Sequence, residues 1–136
     1  MIILGIDPGY AIVGYGVLRF EQNRFQTLNF GAITTPAKTD FPYRLRTIYE
    51  DLCFLFEKFK PDALSIEKLF FNTNQKTAID VAQARGVILL AAKMHDVPIF
   101  EYTPLQVKQS VVGYGRAEKK QVQEMTKQLL GLNAVP

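Results

Sequence analysis

The feature that most constrains this chain is its first apolar run, Ile2-Ile3-Leu4-Gly5-Ile6, stopped by Asp7-Pro8-Gly9. A short, nearly unbroken apolar run closed by a turn sequence predicts a strand inside a sheet, buried on both faces. Such a strand needs neighbours on both edges and helices to cover it. Residues 12–20 and 25–33 are rich in Val, Ile, Tyr, Phe and Thr, with Asn23 near the joint, and predict two more strands in a hairpin-like meander. The hydrophobic period then changes. Leu45, Ile48, Leu52, Leu55, Phe56 and Phe59 fall three and four apart, an amphipathic helix over 42–60 stopped by Pro61.

Ala63-Leu64-Ser65-Ile66-Glu67 reads as a short strand ending in an acid. A helix over about 75–95 follows, opened by the capping candidates Asn72, Thr73 and Asn74. Residues 97–102 give the next strand, and Thr103-Pro104 starts a helix with an N-cap followed by Pro at its first position. Gly113-Tyr114-Gly115 is a loop, and residues 117–130 form a last helix stopped at Gly131. Three strands followed by alternating helix and strand predict one α/β domain over 1–136, with a five-stranded sheet of mixed direction flanked by helices.

Composition narrows the chemistry. One cysteine, Cys53, excludes an internal disulfide and suits a reducing cytosol. One histidine, His95, leaves too few His and Cys ligands for a zinc site within the chain, so a metal would be held by carboxylates, which favours Mg²⁺ or Mn²⁺. His95 itself reads as a helix-end residue. A net charge of +3 permits a polyanionic partner without demanding one. No apolar stretch is long enough for a membrane span and the N-terminus lacks a basic leader, so a cytoplasmic location is expected.

Asp7 and Glu67 each end a strand that the pattern makes internal. Singly, neither identifies a function: an Asp-Pro-Gly after a strand is most often a turn, and a strand-end Glu a solvated rim residue. If the two strands are parallel neighbours, however, both acids project at one sheet edge, where ligands of open α/β sheets collect. Strand alternation places Asp7 on the face of Ile3 and Gly5, and Gly5 leaves room beside it.

Ile6-Asp7-Pro8-Gly9, Ser65-Ile66-Glu67, Gln83-Ala84-Arg85-Gly86 and the run from Val107 to Gly113 resemble, in order and spacing, the RuvC family of Holliday-junction resolvases. Ala117-Glu118-Lys119-Lys120-Gln121-Val122 extends the resemblance over nearly the whole chain. It implies an RNase H-like fold and a crossover junction endodeoxyribonuclease that resolves four-way DNA junctions in recombination and repair by paired nicking. It further implies a homodimer, branch-migration motor proteins as candidate partners, and two Mg²⁺ ions per subunit, for which Mn²⁺ can substitute. Asp7 would bridge both ions and Glu67 would bind one. The family carries one or two further acids on a C-terminal helix. The sequence stops at Pro136, where the loop before that helix would begin, so a truncated domain that keeps some junction binding but cleaves weakly or not at all is expected.

Phe70, Phe71 and Asn72 follow Glu67 closely, and exposed aromatic faces can stack on unpaired bases. In the resembled family a Phe at the position of Phe70 inserts at the junction crossover. Lys76, Lys108, Arg116, Lys119 and Lys120 are the candidates for phosphate contacts. Ala78, Ala82 and Gly86 recur every four residues as a small-residue stripe that admits a close backbone, either the domain's own sheet or a partner's helix. Three rival functions differ in what they require. A junction-binding module would bind without cutting, an actin-like or sugar-kinase ATPase needs a second lobe, and an RNase H-like nuclease for ribosomal RNA precursors would lack the Gln83–Gly86 and Val107–Gly113 blocks.

Overall fold

The computed structural model describes residues 1–9, 11–36, 39–68, 75–103 and 105–106, the side chains of Gln75 and Lys76 excepted. The elements run β1 (Ile2–Asp7), β2 (Ile12–Glu21), β3 (Arg24–Thr34), α1 (Phe41–Phe59), β4 (Ala63–Glu67), α2 (Gln75–Met94) and β5 (Ile99–Tyr102). The five strands form one sheet in the order β3-β2-β1-β4-β5, with β1 at its centre. β2 lies antiparallel to β1 and to β3, whereas β4 pairs parallel with both β1 and β5. This is the mixed sheet expected from the sequence.

Local chemistry sets the joints. The β2–β3 hairpin turns on Gln22 and Asn23, both at positive φ (53° and 61°), the double left-handed turn whose twist matches the flanking strands. Asp40 caps α1 by accepting from the Tyr43 N–H at 3.2 Å. The helix ends on Lys60, left-handed at φ 48°, with its N–H on the Phe56 carbonyl, just before Pro61. α2 closes the same way through Asp96 at φ 55°. The Val97 N–H there donates back to the Ala92 carbonyl at 3.0 Å, so β5 begins at Ile99 and not at Val97.

Leu4 and Ile6 of β1 join Val13, Val17, Ile33, Leu64 and Ile66 in a core roofed by Ile48, Leu52, Leu55 and Phe56 of α1 and by Ala84, Ile88, Ala91 and Ala92 of α2. The opposite face of β1 departs from the expectation of burial on both sides. Ile3 and Gly5 are only half-buried and line an open cavity. His95 takes the helix-end role: its Nδ1 lies 2.9 Å from the Ala91 carbonyl and its ring stacks on Phe56 at 5.2 Å. Among the described residues, no helix is long and apolar enough to cross a membrane.

Candidate active site

β1 and β4 pair in the register Ile3↔Ala63 through Ile6↔Ile66. One position further along, Asp7 and Glu67 stand side by side at the carboxyl ends of adjacent parallel strands. Neighbouring strands are about 4.8 Å apart, and equivalent positions point to the same face. Both acids line a cavity of about 800 Å³ on the sheet face away from the helices. Glycines shape its floor. Gly5 lies opposite Gly16, and Gly14 lies opposite Asp7. A side chain on Gly14 would meet the Asp7 Cβ at 3.7 Å, whereas the space over Gly16 is open. Phe30, Ser65 and Tyr102 complete the nearby wall.

The strand ends are held individually. Lys68 donates its N–H to the Tyr102 carbonyl at 2.7 Å, prolonging the β4–β5 pairing past Glu67. From α2, Arg85 donates its Nε–H to the backbone carbonyl of Glu67 at 3.3 Å, and its Nη2 lies 3.2 Å from Glu101 Oε2. Beyond β5, Thr103 and Gln106 exchange two hydrogen bonds, side chain to backbone N–H in each direction, at 2.9 and 3.0 Å. That reciprocal capping box confirms the helix start expected at Thr103.

The donor set fits a hard divalent cation. Two adjacent carboxylates supply oxygen ligands only, and Mg²⁺ is commonly bound by one or two carboxylates, its remaining positions left to water and substrate phosphate. Among the described residues, no group of three or more His, Cys, Asp or Glu could hold a metal.

Of the other sequence-predicted residues, Phe70, Phe71, Asn72, Lys108, Arg116, Lys119 and Lys120 lie outside the described residues, as does the side chain of Lys76. The stripe on α2 divides. Ala78 is buried at 8%, Ala82 is half-buried, and Gly86 is exposed with open space where a side chain would stand. The helix advances 100° per residue, so a four-residue spacing drifts around the cylinder and leaves only Gly86 facing outward. The exposed flank there carries Ile79, Leu90 and Met94.

Arg85 and Glu101 were missed as residues of the site. The available signal was a cation placed between the buried positions Ala84 and Ile88 of a helix, where an unpaired charge would be costly.

The model of the family described as crossover junction endodeoxyribonuclease RuvC matches residues 3–136. The RuvC endonucleases of Alkaliphilus oremlandii and Ruminiclostridium cellulolyticum are each 60% identical over all 136 residues, spanning 83% and 82% of those proteins. The structure of Thermus thermophilus RuvC in complex with Holliday junction substrate superposes with a TM-score of 0.93 at 32% identity, covering 100% of this chain and 83% of that one. The yeast mitochondrial Holliday junction resolvase Ydc2 shares the fold, with a TM-score of 0.62 at 16% identity over 93% of this chain and 63% of that one.

Proposed function

The chain belongs to the RuvC family of crossover junction endodeoxyribonucleases, and we propose that Asp7 and Glu67 are the carboxylates with which it cuts. It is an endonuclease that resolves Holliday junctions in DNA recombination and repair. The match to named endonucleases over the full chain weighs against a module that binds junctions without cutting them.

One observation carries the assignment: the two acids occupy equivalent positions on adjacent parallel strands, over an open cavity lined by Gly5, Gly14 and Gly16. Family nucleases depend on divalent metal, and our reading is Mg²⁺, two ions per subunit, with Mn²⁺ able to substitute. Such ions supply a water of lowered pKa and charge stabilisation for the leaving oxygen. Asp7 and Glu67 would supply carboxylate oxygens to such ions. Gly14 and Gly16 keep side chains out of the space the scissile phosphate must enter. For the junction itself we assign Phe70, Phe71 and Asn72 to the unpaired bases and Lys76, Lys108, Arg116, Lys119 and Lys120 to phosphates, supported by the resemblance and by the net charge of +3.

We place a homodimer on the exposed flank of α2. Ile79, Leu90 and Met94 surround the bare surface of Gly86, an apolar strip that a second copy would cover. Branch-migration motors as partners and a cytoplasmic location belong to the same reading. Asp7→Asn and Glu67→Gln each test the core of it. Junction binding in the absence of divalent metal is expected within twofold of native, and Mn²⁺-dependent nicking is expected to fall by at least about 100-fold, the scale at which removing a catalytic group registers. Nicking within threefold of native in either variant sinks the assignment.

A further inference from the structure

We propose that Arg85 is a positioning residue that fixes the direction in which Glu67 presents its carboxylate. The inference rests on the reading of Glu67 as a metal-holding acid and adds the group that aims it. The peptide unit joining Glu67 to Lys68 is a rigid plane with one acceptor and one donor. Both are taken. Arg85 Nε donates to the Glu67 carbonyl at 3.3 Å, and the Lys68 N–H donates to the Tyr102 carbonyl at 2.7 Å. Ile66 is already held in the sheet between β1 and β5, so fixing that plane fixes the last backbone torsion of Glu67, and with it the direction of its Cα–Cβ bond.

The guanidinium is itself restrained. Its side chain is only 13% exposed, and Nη2 is sealed from solvent beside Glu101 Oε2 at 3.2 Å. That contact is Coulombic, since Nη2 makes no hydrogen bond. The planar fork of Arg can address a carbonyl on one strand and a carboxylate on the next at once, which the single ammonium of Lys cannot do. Glu101 is in register with Ile66 and so lies on the helix-facing side of β5. Arg85 therefore grips β4 from beneath, while the Glu67 side chain works in the cavity above. It joins the ends of two strands without entering the reaction.

The test uses Arg85→Lys and Arg85→Met in the whole chain, with two readouts. The first is amide hydrogen exchange at Lys68 by NMR, which needs neither metal nor DNA. At least tenfold faster exchange is expected for Arg85→Met, with core amides such as Ile88 unchanged and Arg85→Lys intermediate. The second is the Mn²⁺ concentration at half-maximal nicking, expected to rise at least tenfold while metal-free junction binding stays within twofold. If Arg85→Met does not fold, Glu101→Gln releases the guanidinium without changing volume and should shift both readouts by about threefold. Unchanged Lys68 exchange, or exchange that rises uniformly through the core, overturns the proposal. If Glu67→Gln nicks at the native rate, the assignment of Glu67 falls first and the positioning role with it. Metal-dependent loss at Glu67 with native exchange at Lys68 removes Arg85 alone.

Discussion

Replacing Gly9 by Ala should silence the nuclease without touching either acid. Gly9 closes the turn two residues after Asp7, and a Cβ built there would lie 2.1 Å from the Ile12 carbonyl oxygen and 3.3 Å from its carbon. Bringing the first contact to even 3.0 Å requires the two backbone segments to part by about 0.9 Å. Ile12 starts β2 and is in register with Thr34, so the sheet holds that side and the turn carrying Gly9 must give. Displacing a reacting group by ~1 Å costs roughly 100-fold in rate, or about 2.7 kcal/mol of transition-state stabilisation. The accompanying loss of stability should be that of an overpacked site, about 1–3 kcal/mol. Single-turnover nicking of a four-way junction at saturating Mn²⁺, beside a metal-free gel shift, separates the two effects. A variant that binds and nicks within threefold of native would refute the argument that the turn dictates where Asp7 stands.

Ile88 is fully buried in α2, and Ile88→Ala should lower the unfolding free energy by about 2–5 kcal/mol, read from the urea midpoint. Asp40→Ala removes the N-cap of α1 and should cost about 1 kcal/mol, with metal-free junction binding unchanged. Leu90→Glu, on the exposed flank of α2, should shift the sedimentation coefficient to that of a single chain; an unaltered dimer would move the interface elsewhere.

The architecture was legible where hydrophobic period and chain breakers agreed. β4 falls at residues 63–67 as expected, because Pro61-Asp62 fixes its start and an acid marks its end. The Asp7 face was also legible, since alternation from Ile3 through Gly5 leaves no other choice. β5 was drawn two residues too long. Val97 has strand chemistry, but the C-cap of α2 takes its N–H, a competition that propensity does not register. The open face of β1 was misjudged for a related reason. An apolar run shows that a strand is internal, but not that the glycines opposite it, Gly14 and Gly16, hollow out one side. Arg85 stayed hidden because its partners are a backbone carbonyl 18 residues away and a carboxylate on another strand. Neither contact leaves a periodic trace.

The parallel pairing of β1 with β4 also sets when the two acids can meet as the chain is made. Asp7 is made early and Glu67 about sixty residues later. Closing a loop of that length costs on the order of 3–4 kcal/mol in chain entropy, which only the packed core can offset. A nascent chain that ends within α1 already carries β1, β2, β3 and Asp7, yet has no second acid to set beside it. On the reading that both acids hold the metal, cutting ability arrives late, with the long-range step that lays β4 against β1.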